Sequence, residues 1–112
     1  MTSDIEQSVH TCPACGYRGL GQAPYANFSR LPLPDNLVPP YSQYFGEPSY
    51  EVCDCCGCEF GNDDEPGTAP PLTFRQYREE WMADGGRWFE PSRKPQDWTL
   101  EQQLKDALLK ET

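Results

Sequence analysis

Six cysteines fall into two groups, and their spacing sets the chemistry open to this chain. Cys12-Pro13-Ala14-Cys15-Gly16 and Cys53-Asp54-Cys55-Cys56-Gly57 share one outline: two cysteines separated by two residues, with glycine directly after the second in each register. That spacing lets the backbone curl over a metal ion, and the glycine permits the tight turn in which backbone N–H groups face the sulfurs. Two such knuckles supply four thiolates. A tetrahedral zinc ion holding all four has no open position for substrate, so the expected centre is structural. Cys55 and Cys58 offer a second register with the same spacing, but Glu59 would then stand where the first knuckle has glycine. The expected ligands are therefore Cys12, Cys15, Cys53 and Cys56. Cys55 is left inside the knuckle loop, and Cys58 becomes a small buried hydrophobe just after it.

A disulfide framework is the competing reading of six cysteines in a short chain. The residues from Met1 to His10 contain neither a basic leader segment nor an apolar one, which points to a reducing cytoplasm where paired knuckles read as metal ligands. No run approaches the roughly 18 apolar residues of a membrane span. His10, the sole histidine, stands two residues before Cys12; with four cysteines completing the tetrahedron, it is expected in solvent or behind a ligand. One histidine leaves no Ser-His-Asp or Cys-His pair, and no glycine-rich phosphate loop is present, so no enzyme is expected. The same knuckles can hold one redox iron, and a rubredoxin-like electron carrier is the alternative.

The formal net charge is −9. No Lys or Arg lies between Arg30 and Arg75, whereas Asp35, Glu47, Glu51, Asp54, Glu59, Asp63, Asp64 and Glu65 do. Four thiolates on a divalent ion would add about two further negative charges there. Such a face repels phosphate backbones, which disfavours nucleic acid, and it suits a cationic protein partner. Asp54, Glu59, Asp63, Asp64 and Glu65, clustered at the second knuckle, are the candidate partner-binding residues. The plainer reading is an acidic surface that keeps a small protein soluble.

The elements that must position these groups read as a single α+β domain over residues 1–112. Only 37% of the residues are hydrophobic and 12 are proline, so the core must be thin, and a metal tying distant segments together would offset the shortage. Residues 1–10 form a polar, frayed start. Residues 11–71 form a small zinc-ribbon-like β unit with a Pro-rich insertion over 22–49, where prolines interrupt every candidate helix. Its aromatic and aliphatic residues call for packing over the metal unit. Tyr50 and Val52 before the knuckle, with Cys58 and Phe60 after it, alternate as a β-hairpin would. An acidic turn, Gly61 to Gly67, follows with the wrong spacing for a calcium-binding EF-hand.

Residues 72–112 are expected to form a two-helix tail. Thr73 and Gln76 form a capping box, Leu72 and Tyr77 a hydrophobic staple, Phe74, Tyr77 and Trp81 an apolar stripe, and Asp84-Gly85-Gly86 a stop. In the connector Arg87 to Pro95, Trp88 and Phe89 are expected in the core and Arg93 and Lys94 in solvent. The second helix starts at Thr99 with Gln102 three residues on. It carries the stripe Leu100, Leu104, Ala107 and Leu108, with Lys105 and Lys110 toward its C-terminal end.

The combination C-P-A-C-G-Y-R-G-L, Y-E-V-C-D-C-C-G-C-E-F-G-N-D-D and R-E-E-W…G-G-R-W-F-E-P-S-R-K-P…W resembles the small bacterial cysteine-rich proteins of the CPCC type and their zinc-ribbon-like relatives, over most of residues 11–104. By that resemblance Cys12, Cys15, Cys53 and Cys56 fall on the paired cysteines of the pattern, while Cys55 and Cys58 depart from it. Some members of this group lie beside polymorphic or contact-dependent toxin genes. The resemblance thus implies an immunity protein; a third reading, separate from it, is a subunit of a larger bacterial complex that uses its zinc unit only as a staple.

Overall fold

The computed structural model describes residues 10–28, 33–34, 36–65 and 71–109. The expectations for the polar start before His10, for Pro66 and Gly67 and for Lys110 lie outside these residues. Regular secondary structure among the described residues is helical: α1 (Ser42–Phe45), α2 (Phe74–Ala83), a 3-10 turn (Pro91–Arg93) and α3 (Leu100–Asp106). None is long and apolar enough to cross a membrane.

Among the described residues the expected zinc-ribbon β unit does not appear as a sheet. Strand pairing among the described residues is confined to two isolated antiparallel bridges, Tyr25 with Pro48 and Val52 with Glu59. The hairpin around the second knuckle fails as a ladder for a local reason. Tyr50 takes a left-handed backbone (φ 61), its N–H donates to the Phe60 carbonyl, and the Phe60 N–H donates to the Glu51 carbonyl. Two residues thus oppose one, as in a β-bulge, and the pairing breaks beyond Val52. The segment after the first knuckle, where a short strand or a turn is expected, carries bends at residues 18, 21 and 22 and no strand.

The Pro-rich segment holds one helical turn, α1, contrary to the expectation of no helix there. The turn fits after Pro40, where five residues free of proline precede Gly46, whose positive φ ends it. Around it stands an aromatic core. Tyr25 is fully buried, with ring centroids 6.1–6.4 Å from Phe28, Phe45, Phe60 and Phe74, and Tyr41 stacks on Phe74 at 4.0 Å. These large rings supply the buried area that a chain so poor in aliphatic residues lacks.

Helix α2 starts and stops on local signals. Thr73 accepts from the Gln76 N–H, and the Gln76 side chain accepts from the Thr73 N–H. At its end the Gly85 N–H bonds the Met82 carbonyl and the Gly86 N–H bonds the Trp81 carbonyl, the paired bonds of a Schellman motif. The buried face is Phe74, Arg78 and Trp81, with Tyr77 only half-buried beside it. Helix α3 is capped by Thr99, but the Gln102 side chain donates to Asp106 rather than closing a capping box. Leu104 and Ala107 are buried. Leu108 leaves the expected stripe at 63% exposed, because the helix ends at Asp106 and Leu108 itself turns left-handed (φ 61).

Candidate metal centre

The four cysteines that share the knuckle outline are brought together. The Sγ atoms of Cys12, Cys15, Cys53 and Cys56 all lie within 4.8 Å of one another, with Cys12 to Cys56 at 3.8 Å and Cys15 to Cys53 at 3.7 Å. A tetrahedron of thiolates bound at about 2.3 Å has edges of about 3.8 Å. All six cysteines are free of disulfides. The quartet has the geometry to hold a metal ion.

Both knuckles are built alike. In the first, the Gly16 N–H donates to the Cys12 carbonyl and the Cys12 N–H to the Tyr17 carbonyl. In the second, the Gly57 N–H donates to Cys53 and the Cys53 N–H to Cys58. The offsets match residue for residue, with Gly16 at φ 90 and Gly57 at φ 82, a region open to glycine at little cost. Gly16 carries a second constraint. A Cβ there would lie 2.8 Å from the Ala107 Cβ, so this turn also seats α3. Cys55 and Cys58 are buried outside the quartet.

Electrostatics favour a cation at the centre. Burial pushes the Cys12 thiol up and the Cys15 and Cys56 thiols well up, whereas hydrogen bonds from Cys12, Cys15 and Cys56 hold Cys53 far below the usual thiol value, with the Cys56 N–H adding to the effect. A divalent ion at the centre offsets the burial penalty, since metal ligation deprotonates thiols outright. Burial also keeps Cys58 protonated.

Arg78 and Gln103, which the sequence reading did not single out, hold the knuckles in place together with Tyr77, which it read only as part of the apolar stripe and staple. Arg78 is buried on α2, and its Nη1 donates to the carbonyls of Pro13 at 3.3 Å and Ala14 at 3.0 Å. Burial pulls its pKa down and the Arg75 charge adds to that, while the neighbouring Cys12 sulfur opposes both. Gln103 on α3 donates from Nε2 to the Cys15 carbonyl and to the Cys55 sulfur, joining both knuckles. The Tyr77 hydroxyl donates to the Cys56 carbonyl. Arg78 had a signal: it lies four residues after Phe74 and three before Trp81, on the apolar face, where a charged residue needs a partner. His10 contributes its carbonyl to the Leu20 N–H and stands outside the cysteine quartet.

The candidate partner-binding acids have different fates. Asp64 is a correction: it is 2% exposed, with Oδ2 accepting from the Tyr25 hydroxyl at 2.6 Å and the Tyr41 N–H at 3.0 Å, and Oδ1 from the Gly61 N–H at 2.9 Å. It organises the interior and offers no surface. Asp54, Glu59, Asp63 and Glu65 are half-buried. Asp63 accepts from the Glu59 N–H, Glu65 from Ser42, Glu59 from Asn62, and Asp54 pairs with Arg93 at 3.6 Å. In the connector, Trp88 is buried but Phe89 is 61% exposed, against expectation. The Phe89 and Glu90 N–H groups bond the carbonyls of Cys55 and Asp54, which fixes Trp88 inward and turns its neighbour out over Gly57.

Comparison with known proteins adds two distant relatives. The chain is 26% identical over 118 aligned positions to the uncharacterized protein YoaQ of Bacillus subtilis (strain 168), covering 94% of this chain and 85% of the relative. It is 24% identical over 114 positions to the uncharacterized protein YozI of the same organism, covering 92% and 82%. No family model and no solved structure matches the chain.

Proposed function

We propose that the cysteine quartet holds one structural zinc ion and that the chain is a non-enzymatic domain that binds a cationic protein, its specific role being that of an immunity protein neutralising a bacterial toxin. One observation carries the binding half of this reading. Asp54, Glu59, Asp63 and Glu65 are partly solvent-accessible; Glu59, Asp63 and Glu65 are held by hydrogen bonds, and among the described residues only Asp54 has a cation paired with it. Carboxylates fixed in this way lose little freedom on meeting a basic surface. For the metal, the support is burial: Cys12, Cys15 and Cys53 have no exposure, as suits an ion that closes the fold. A rubredoxin-like iron centre would use the same four sulfurs, and a zinc-stapled subunit of a larger complex would use the same acidic face.

The test is co-expression with the product of the adjacent gene in its genome. Rescue of growth from a toxic neighbour supports the role. Asp54→Asn/Glu59→Gln/Asp63→Asn is then expected to slow association about tenfold at low salt. It should also flatten the salt dependence, because such steering acts over a Debye length of about 10 Å at 0.1 M. A non-toxic neighbour, or an unchanged on-rate and salt slope, contradicts the proposal.

A further inference from the structure

An open cavity of about 370 Å³ lies between the loop after the first knuckle and the N-terminal approach to α3. Its aromatic lining is ordered. Trp88 is 8% exposed and touches both flanking rings edge-on, with Tyr17 at 5.4 Å and 83° and Trp98 at 5.6 Å and 85°. The outer rings are held as well. The Trp98 indole N–H donates to Gln103, and the Tyr17 ring lies so close over Gly19 that a Cβ there would clash with the tyrosine hydroxyl. Asp97 and Asp106 line the same cavity, both exposed and with no ion pair among the described residues, and Arg18 is the one cation in the lining.

We infer that this cavity receives an arginine side chain of a basic protein partner, with the guanidinium against the aromatic rings and turned toward Asp97 and Asp106. Aromatic faces attract cations through their quadrupole, and a planar guanidinium both stacks on a ring and pairs with a carboxylate. Trp98 already shows the first of these interactions: Lys94 Nζ lies 5.2 Å from its ring centroid. An anionic ligand would meet the two carboxylates, and a neutral apolar one would leave them without a counter-charge. This inference rests on the reading of the chain as a binder of a cationic protein, and it names the pocket and the side chain.

The probe is Nα-acetyl-arginine N-methylamide, titrated into the full, metal-loaded chain while the tryptophan indole N–H signals are followed by NMR. The neutral control is the citrulline analogue, which has the same shape without the charge. Saturable shifts of the Trp88 and Trp98 signals in the millimolar range with arginine and none with citrulline are expected. Affinity should fall at least about threefold in Asp97→Asn/Asp106→Asn, a pair of exposed changes that leaves the core and the knuckles untouched. No saturable shift, equal shifts with citrulline, or undiminished affinity in the double variant overturns the assignment. A hexalysine peptide separates the two levels of the proposal. If it moves the Glu59 and Asp63 amide signals in a salt-dependent way while the arginine probe fails, the cavity assignment falls and the acidic face stands. The reverse pattern removes the acidic face and leaves the cavity.

Discussion

Replacing Asp64 should destabilise the protein strongly, although the residue sits in a run of acids that reads as surface. Its carboxylate receives three donors, the Tyr25 hydroxyl and the N–H groups of Tyr41 and Gly61. They come from the Pro-rich segment and from the turn after the second knuckle. Asp64→Ala orphans all three in a buried site at roughly 1–3 kcal/mol each. The hydroxyl can rotate toward another acceptor and the terms do not add, so the expected loss is about 4 kcal/mol, a large share of the stability of a small domain. Asp64→Asn keeps the shape and one acceptor oxygen but turns an NH2 toward a donor, and should lose about 2 kcal/mol. Urea unfolding of metal-loaded protein, followed by tryptophan fluorescence and far-UV circular dichroism, gives both values. A double-mutant cycle with Tyr25→Phe should return a coupling of at least about 1 kcal/mol. A loss below about 1 kcal/mol for Asp64→Ala, the size of a surface change, would refute the buried network.

Gly16→Ala should destabilise more than Gly57→Ala. Both force a left-handed alanine at about 1–2 kcal/mol, but the first also drives a Cβ into Ala107 and the backbone of α3, whereas the second meets only the exposed Phe89 ring; equal losses in urea would contradict this seating of the helix. Arg78→Met should cost about 2–3 kcal/mol by orphaning the Pro13 and Ala14 carbonyls, and should speed metal loss to a chelator by removing a buried positive charge beside the thiolates; an unchanged loss rate would count against the charge argument. Stability should fall at alkaline pH. Burial and the Asp64 carboxylate raise the pKa of Tyr25 above its ordinary 10.0, so above about pH 10 the unfolded chain loses a proton that the folded chain keeps. The predicted slope is a loss of about 1.4 kcal/mol per pH unit from this group, read from urea midpoints between pH 9 and 11; a flat profile would contradict it.

What the sequence made legible was local. A cysteine pair followed by glycine specifies a knuckle within five residues, and the glycines at φ 90 and φ 82 take the backbone that the pattern calls for. Thr73 with Gln76 and Gly85 with Gly86 mark the ends of α2 on the same scale. What stayed hidden depends on distant partners. Period-two alternation around the second knuckle says nothing of Tyr50 turning left-handed, which cuts the hairpin to one bridge. Asp64 looks like its neighbours Asp63 and Glu65 until Tyr25, 39 residues earlier, points a hydroxyl at it. Trp88 and Phe89 are adjacent aromatics with opposite fates, set by backbone bonds to Asp54 and Cys55 more than thirty residues away. Leu108 fits the stripe by spacing, but its helix has already ended.

The central claim, one structural zinc ion on Cys12, Cys15, Cys53 and Cys56, is tested most directly by metal stoichiometry across single cysteine variants. Elemental analysis of protein freshly isolated from its native source should give one zinc per chain. The ion should be lost, along with most of the fold, in Cys53→Ser and Cys56→Ser, and retained in full by Cys55→Ser and Cys58→Ala. Iron in the native protein with its red colour, zinc lost from Cys58→Ala but kept by Cys53→Ser, or a stable fold with no metal at all would contradict it.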